Sequence, residues 1–358
     1  MLVNVALFTL GLLALIAGAR LLVRGASKLA LSFGISPLVV GLTIVSMGTS
    51  APEAAVSLGA ALDGRTDMAV GNVVGSNVFN VLFILGLAAL VAPLAVNAQL
   101  IRQEVPIMIG ASLLLVAFAI DGHIGPLESA LLLVLLVAYT GFLIVQSRRQ
   151  TQATRDEYEQ SMPPDRAWDR HWATQLGLVL AGLVLLVLGS DWLVEAAVAF
   201  ARAFGVSELV IALTIVAAGT SMPEVATSLM AALKGERDIA VGNVVGSNIF
   251  NILGCLGASG LAAGGGLPVP SAVLAFDLWV MLAVAFACLP VFFTGREIAR
   301  WEGGLFVGYY FAYTAFLVLA ARQHQALPAF SAAMLSFVLP LTIVTVLVST
   351  LRSQRAVH

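Results

Sequence analysis

Two glutamates, Glu53 and Glu224, stand in the middle of long apolar stretches of this sequence. An ionised carboxylate at the centre of a membrane helix costs about 2.5–3.5 kcal/mol on insertion scales. No Lys, Arg or His lies at a comparable depth in any apolar stretch, so neither glutamate has a basic partner of its own. The sequence therefore predicts that their counter-charge is a cation that comes and goes.

Oxygen-bearing side chains recur beside each glutamate at the spacing of one helical face. Positions three, four and seven residues apart lie on the same side of an α-helix. Around Glu53 these positions hold Ser46, Thr49, Ser50 and Ser57, and around Glu224 they hold Thr220, Ser221, Thr227 and Ser228. We therefore expect two helix faces lined with oxygen atoms.

Each glutamate also follows residues that interrupt a helix. The flanking pairs are Gly48 with Pro52 and Gly219 with Pro223. Proline lacks an amide hydrogen and clashes with the preceding turn, so each helix is expected to break or kink beside its glutamate. A break frees main-chain carbonyls, and the candidates are those of Ser46 and Ala217, about two turns before each glutamate. Irregular backbone at that depth is tolerated only where it lines a cavity or is buried in protein.

The following apolar stretches add amides and hydroxyls on single faces, at positions i, i+4 and i+8. These residues are Asn72, Ser76 and Asn80, and their counterparts Asn243, Ser247 and Asn251. Amides inside a membrane also bond helices together, and glycines allow helices to approach closely. Packing remains an alternative role above all for Asn72, Asn77, Asn243 and Asn248, and close approach is expected at Gly71, Gly75, Gly242 and Gly246.

The predicted ligand atoms are all hard oxygens. Ca2+ takes six to eight oxygen ligands at flexible distances, and Na+ uses the same chemistry. Zn2+ and copper prefer nitrogen or sulfur, which this set lacks. Two glutamates carry two negative charges, which one Ca2+ neutralises and one Na+ does not. Competition between Ca2+ and Na+ or protons for the carboxylates is therefore a route to exchange.

The composition places this site in a membrane. Of the 358 residues, 60% are hydrophobic and 11% charged, against roughly a quarter charged in soluble domains. The net charge of −2 indicates neither a nucleic-acid partner nor a basic membrane-surface module. The two cysteines, Cys255 and Cys288, lie in apolar segments without metal-site spacing and are expected to be packing residues.

Apolar stretches of about 20 residues predict eleven membrane spans. They lie near residues 3–23, 36–62, 68–92, 105–120, 125–146, 173–202, 207–233, 239–263, 272–293, 303–321 and 329–351. If the N-terminus is outside, fifteen of the 18 Lys and Arg residues, among them Arg20, Arg24 and Lys28, fall on loops of the cytoplasmic side. Basic residues are retained on that side, so we predict an outside N-terminus and a cytoplasmic C-terminus.

The sequence contains an internal repeat. Residues 34–86 align without gaps to residues 205–257 and match at 35 of 53 positions. The identities favour polar and small residues, whereas Ile, Val, Ala and Met exchange freely, which indicates a shared chemical task rather than shared packing. Five spans separate equivalent points, so the copies cross the membrane in opposite directions, as in secondary transporters with a midplane site.

The paired motifs GTSxPE and GNVVGSNxFN resemble the two repeats of the calcium/cation antiporter superfamily, in its sodium/calcium exchanger branch. The resemblance covers roughly a third of the chain. It implies a core of ten helices, which fits an all-α membrane protein of five plus five inverted spans with the second and seventh broken; the eleventh, C-terminal span is an addition to that core. The corresponding division is 1–146, a cytoplasmic linker 147–172, an inverted repeat 173–321, and a C-terminal helix and tail 322–358.

The resemblance also implies residue roles. Glu53 and Glu224 would be the central Ca2+ ligands, and the first and sixth spans would slide to open each side in turn. Hydroxyls are implied mostly in Na+ sites, at Thr49, Ser50, Ser76, Thr220, Ser221 and Ser247. Asn80 and Asn251 match family site positions, and having Asn at both argues against K+ co-transport. The linker is too short for large cytoplasmic Ca2+-sensing domains.

The resulting hypothesis is Na+/Ca2+ antiport in the inner membrane of a prokaryotic cell, with the lipid bilayer as surroundings. No cofactor and no obligatory protein partner are expected, and no nucleophile, phosphate loop or cofactor motif suggests an enzyme. Two alternatives remain open. One is a Ca2+/H+ or broader divalent-cation antiporter, because glutamates also bind protons. The other is a passive cation channel, which the inverted repeat disfavours.

Overall fold

The chain is an integral membrane protein built almost entirely from long apolar helices. The computed structural model describes residues 2–148, 171–205, 211, 215 and 217–346. The first half contains α1 (Leu2–Phe33), α2 (Pro37–Thr49), α3 (Ala51–Leu62), α4 (Thr66–Val91), α5 (Leu100–Ala119) and α6 (Pro126–Ser147). The second half contains α7 (Trp172–Ala203), α8 (Met222–Leu233), α9 (Arg237–Ala262), α10 (Val273–Phe293) and α11 (Arg300–Ala321), and α12 (Leu327–Val346) follows.

The described spans agree with those predicted, with one informative difference at the first; the predicted spans 207–233 and 329–351 lie partly outside the described residues. Helix α1 continues about ten residues beyond its predicted end, so the placement of Arg20, Arg24 and Lys28 in a loop is wrong. Lys28 is only 7% exposed, and Ala26 beside it is fully buried. The end of α1 is therefore packed against protein at Lys28, whereas Arg20 remains exposed.

Both predicted helix breaks are present. Helices α2 and α3 meet at Ser50 with a bend of 46°, and Ser50 has φ −83° and ψ 9°. In the second half, a helical turn at Ala217–Gly219 precedes α8, and Ser221 has φ −89° and ψ 9°. Each half-helix that follows begins with a proline near its first position, where a missing amide hydrogen costs least.

The two halves repeat the same local features. Wide π-helical turns occur in α4 at Asn80–Leu85 and in α9 at Asn251–Leu256. Short strands also join the halves: β1 (Leu94–Ala95) pairs with β4 (Glu297–Ile298), and β2 (His123–Ile124) pairs with β3 (Leu267–Pro268). Each strand therefore pairs with one from the opposite half, as a two-fold relation between inverted repeats requires.

Helices α1 and α7 cross through matched glycines. A Cβ atom added at Gly18 would lie 2.8 Å from the carbonyl oxygen of Gly182, and one at Gly11 would lie 2.8 Å from that of Gly189. Glycine at these positions lets the two backbones approach closely. The pair α1–α7 thereby forms a layer that spans both halves of the molecule.

Helices α4 and α9 lie at the centre of the bundle and are its most buried spans. A Cβ atom at Gly246 would lie 2.6 Å from the Leu42 carbonyl oxygen, and one at Gly242 would lie 3.1 Å from that of Leu38. Close approach is thus confirmed for α9 against α2. The segment equivalent to α2 in the second half falls largely outside the described residues, as do most of the linker 147–172 and the chain after Val346.

Candidate ion-binding site

The two glutamates lie at the centre of the bundle, where each accepts a hydrogen bond from a serine of the opposite half. The Ser50 hydroxyl donates to Glu224 Oε1 over 2.8 Å, and the Ser221 hydroxyl donates to Glu53 Oε1 over 2.6 Å. Glu53 is 1% exposed and Glu224 is fully buried. Each half of the molecule therefore supplies a donor to the carboxylate of the other half.

The helix breaks explain why carboxylates are tolerated at this depth. Glu53 lies in the first turn of α3, and Glu224 lies in the first turn of α8. The N-terminal end of a helix carries partial positive charge and unpaired amide hydrogens, which favour a negative group there. Breaking each span in mid-membrane therefore places a new helix N-terminus beside each glutamate.

Several oxygen atoms of the site are buried without a hydrogen-bond partner among the described residues. These atoms are Glu53 Oε2, Glu224 Oε2, Asn80 Oδ1, Thr220 Oγ1 and Ser247 Oγ. A buried polar atom left unpaired costs about 1–3 kcal/mol, so such a group of oxygens requires a ligand or water. Carboxylate, amide and hydroxyl oxygens together are the ligand types of hard cations.

The predicted hydroxyls of Ser76 and Thr49 already contact other oxygen atoms of the site. Ser76 Oγ lies 3.5 Å from the Ser221 hydroxyl. The Thr49 hydroxyl lies 3.1 Å from Asn243 Oδ1 and 3.3 Å from the Ser46 carbonyl oxygen. All these side chains are buried, and they come from α2, α4, α9 and the break before α8.

The expectation of a freed carbonyl at Ser46 does not hold in its simple form. The Ser46 carbonyl oxygen accepts from the Ser50 amide over 2.9 Å, as in a continuous helix. A carbonyl oxygen has two lone pairs, so this bond leaves Ser46 able to contact a cation as well. Ala217 occupies the equivalent place at the start of the turn Ala217–Gly219.

Asn72 and Asn243 bond helices together, which favours the packing interpretation left open for them. The Asn72 amide donates to the Ser57 hydroxyl over 3.0 Å, and the Asn243 amide donates to the Ser228 hydroxyl over 3.0 Å. Ser57 and Ser228 are equivalent positions of α3 and α8. The two bonds therefore fasten each broken half-helix to the helix that follows it.

Four asparagines form a second junction between the halves, on α4 and α9. The Asn80 amide donates to Asn248 Oδ1 over 3.0 Å, and the Asn251 amide donates to Asn77 Oδ1 over 3.2 Å. All four side chains are buried, the most exposed being Asn248 at 3%. Asn80 and Asn251, predicted as ligands, are therefore each held by an asparagine of the opposite repeat.

Two hydrogen-bonded acid–tyrosine pairs were not predicted from the sequence. The Tyr139 hydroxyl donates to Glu104 Oε2 over 2.7 Å, and the Tyr313 hydroxyl donates to Asp277 Oδ1 over 2.7 Å. Glu104 and Asp277 each end a π-helical turn that opens α5 and α10. An acidic residue at the edge of an apolar stretch was the available signal, although nothing in it pointed to tyrosine as partner.

Cys255 also has more than a packing role. Its thiol donates to Asn251 Oδ1 over 3.6 Å, while Cys288 has its sulfur near the Val284 carbonyl. Both cysteines are buried and free. Across the part of the chain that the structure describes, no group of three or more His, Cys, Asp or Glu side chains could hold a metal ion. Apart from Glu53 and Glu224, the side chains predicted to contact the cation are uncharged.

Comparison with known proteins agrees with this geometry. A family model described as sodium/calcium exchanger protein matches residues 3–145 and 174–319. A putative antiporter, CaxA of Alkalimonas amylolytica, is 42% identical over 86% of this chain and 98% of its own. The inner membrane protein YrbG of Escherichia coli (strain K12) is 37% identical over 81% of this chain and 89% of its own.

A solved structure shares the fold. The sodium-calcium exchanger NCX_Mj, soaked with Na+ and Sr2+, superposes with a TM-score of 0.73 at 28% identity, covering 88% of this chain and 98% of its own. The family match spans both halves of the chain, including both glutamate motifs. The chain therefore belongs to the sodium/calcium exchanger family and is a membrane-embedded cation antiporter of that family.

Proposed function

We propose that this chain exchanges Na+ for Ca2+ across the membrane by alternating access, at a site between α3 and α8. The supporting observation is the group of buried oxygens without partners, which includes one carboxylate oxygen of Glu53 and one of Glu224. The reciprocal bonds from Ser50 and Ser221 use the other carboxylate oxygen of each glutamate. One oxygen of each acid is therefore left for a shared ligand.

Charge supports Ca2+ as one of the two substrates. One Ca2+ balances the two carboxylates, and its need for six to eight oxygens matches the neutral groups around them. Asn80 and Asn251 add no charge to this core. The residues that we propose to hold the transported ions are Glu53, Glu224, Thr49, Ser50, Thr220, Ser221, Ser76, Ser247, Asn80, Asn251, Ser46 and Ala217.

Na+ as the counter-ion is supported by the family and by the hydroxyl-rich surroundings. The solved relative NCX_Mj is named a sodium-calcium exchanger. Na+ takes hard oxygen ligands but cannot match two negative charges alone, so several Na+ ions must replace one Ca2+. Competition for the same carboxylate oxygens couples the two ions, because Ca2+ and Na+ cannot occupy those oxygens together.

We further propose an inner-membrane location, with the N-terminus outside and the linker 147–172 in the cytoplasm. YrbG, a relative at 37% identity, is named an inner membrane protein. The distribution of Lys and Arg between alternate loops supports the orientation. Reporter fusions at the two termini measure it directly, and a reporter active outside at the C-terminus would contradict it.

The exchange is tested in proteoliposomes that are loaded with Na+ and diluted into Na+-free buffer containing Ca2+. We expect Ca2+ uptake that disappears when the Na+ gradient is collapsed. Glu53→Gln and Glu224→Gln are each expected to reduce uptake at least about 100-fold, because each removes a charge used by the ion. Asp63→Asn is the matched control, since Asp63 is 63% exposed and pairs only with Arg65 at the surface.

Different outcomes separate the alternatives. Uptake that ignores the Na+ gradient but follows a pH gradient would replace Na+ by H+. Uptake that needs neither gradient would indicate a channel. Transport that survives both glutamate substitutions would remove the site itself from consideration.

A further inference from the structure

The orientations of four buried amides can be deduced from main-chain contacts between α4 and α9. The Asn77 amide nitrogen donates to the Asn248 main-chain carbonyl over 3.3 Å, and the Asn248 amide nitrogen donates to the Asn77 carbonyl over 3.3 Å. A main-chain carbonyl only accepts hydrogen bonds. The nitrogens of Asn77 and Asn248 must therefore face each other's backbone, which directs their side-chain oxygens the other way.

Those oxygens in turn fix the orientation of the side-chain amides of Asn80 and Asn251. Asn248 Oδ1 accepts from the Asn80 amide over 3.0 Å, and Asn77 Oδ1 accepts from the Asn251 amide over 3.2 Å. With its nitrogen held by Asn248, Asn80 must point its own oxygen away from that contact. This oxygen is buried and has no hydrogen-bond partner among the described residues.

We infer that Asn77 and Asn248 are positioning residues, each of which presents the amide oxygen of a ligand asparagine in the opposite repeat to the transported ion. Asn248 acts on Asn80, and Asn77 acts on Asn251. The inference rests on the proposed function, because it requires Asn80 and Asn251 to contact the ion. Without the hydrogen bond from the Asn80 amide to Asn248 Oδ1, the Asn80 side chain could rotate. It would then turn its NH2 group toward the ion, and an NH2 group repels a cation.

The pair Asn248–Asn80 and the pair Asn77–Asn251 differ in one contact. Cys255 donates its thiol hydrogen to Asn251 Oδ1 over 3.6 Å, whereas the equivalent position of the first half is Ile84. The Asn251 oxygen is thus engaged in part, while the Asn80 oxygen is free for the ion. Loss of the Asn248–Asn80 bond should therefore lower ion affinity more than loss of the Asn77–Asn251 bond.

A double-mutant cycle tests the inference in full-length protein reconstituted into proteoliposomes. We expect Asn80→Ala and Asn248→Leu each to raise the apparent KM for Ca2+ about ten-fold, with little change in maximal rate. The double variant should also show about a ten-fold rise, since Asn248 has nothing to position once Asn80 lacks its amide. Independent effects would multiply to about 100-fold and would overturn the inference.

The crossed pair is the matched control. Asn248→Leu combined with Asn251→Ala should show multiplied effects, because Asn251 is held by Asn77 instead. If both cycles behave alike, Asn248 acts through general packing and the positioning role is contradicted. Should Asn248→Leu fail to yield monodisperse protein, Asn248→Ser enters the same cycle, since its shorter side chain cannot reach the Asn80 amide.

Failure of the proposed function has a different signature. In that case, Ca2+ uptake by the unaltered protein would not follow the Na+ gradient, or Glu53→Gln would leave uptake intact, whatever the cycle shows. If Glu53→Gln abolishes uptake and the cycle is multiplicative, the exchange site stands and only the positioning role falls. If Asn80→Ala leaves the KM for Ca2+ unchanged, Asn80 is no ligand, and the positioning role falls with it.

Discussion

Helix α8 packs against both α1 and α7, whereas its counterpart α3 touches neither helix more than marginally. The two helices occupy equivalent places in the repeat, 171 residues apart, and each carries its glutamate in the first turn. Val56 of α3 is 41% exposed, but the equivalent Thr227 of α8 is fully buried. The layer α1–α7 therefore covers one end of the site more closely than the other.

A hydrogen bond at the α8 end accompanies the difference. At the α8 end, Lys234 donates to the Arg20 main-chain carbonyl over 3.1 Å, which ties the hairpin after α8 to α1. The equivalents of Lys234 and Arg20 are Asp63 and Asp191, which are both acidic. Asp63 instead pairs with Arg65 of its own hairpin over 2.8 Å. A carboxylate cannot donate such a bond, so Asp63 makes no tie of the kind that Lys234 makes to α1.

The symmetry between the two halves is lost in the layer α1–α7, which covers α8 more than α3. At the glutamates, the bonds from Ser50 and Ser221 mirror each other, but Thr49 bonds to Asn243 while the Thr220 hydroxyl lacks a partner among the described residues. The covering layer breaks the symmetry, as alternating access requires. In the orientation that we propose, with the N-terminus outside, the less covered α3 end would face the exterior.

The largest expected effect concerns the glycine contacts of α1 and α7, which are symmetric. Gly18→Leu and Gly189→Leu, at equivalent positions of the two halves, should each destabilise the protein by about 3 kcal/mol, because both would press a side chain against backbone 2.8 Å away. Thermal unfolding in detergent measures the loss. Gly177→Leu is the control, since nothing lies within 4 Å of a Cβ atom there. Clearly unequal losses at the two glycines would show that the crossing is not symmetric.

An intermediate effect is expected at the acid–tyrosine pairs, which are not equivalent in burial. Tyr139→Phe should cost about 1–3 kcal/mol of unfolding free energy, because Glu104 is fully buried and loses a donor. Tyr313→Phe should cost less, because Asp277 is half-buried and water can replace the hydroxyl. Denaturant unfolding of the two variants compares them. A larger loss for Tyr313→Phe would reverse this ranking.

The smallest effect is expected at Glu236, in the hairpin after α8. Burial raises the pKa of this carboxyl above its ordinary 4.5, the Ser27 hydroxyl and Lys234 oppose the rise, and Asp238 adds to it. The folded protein therefore holds this proton more tightly than the unfolded chain, and stability falls as pH rises above 4.5.

Glu236→Gln should remove that fall, by less than about 1 kcal/mol because the group is partly exposed. Thermal unfolding between pH 4 and 7 measures it, the range being chosen to bracket roughly the ordinary carboxyl pKa. The equivalent residue of the first half is Arg65. Arg65→Gln is therefore the control, and its stability relative to the unaltered protein should not vary with pH in this range. A Glu236→Gln profile parallel to that of the unaltered protein would contradict the prediction.

Much of the site could be predicted because its residues are costly in a membrane and occur twice. Glu53 and Glu224 stand out as acids in apolar stretches, and glycine with proline marks the breaks beside them. The reciprocal partners could not be predicted, because Ser50 bonds to the glutamate 174 positions away rather than to the one three residues away. The Glu104–Tyr139 pair was missed for the same reason, since its members lie on different helices.

The sequence by itself determined the membrane class, the inverted repeat, the helix breaks and the two central acids, because hydropathy, local backbone chemistry and duplication are properties of the chain. Only the tertiary structure decided which oxygens are already bonded and which remain for an ion. It also decided that α1–α7 covers α8 more than α3. Both depend on contacts between residues far apart in the chain, which local patterns do not encode.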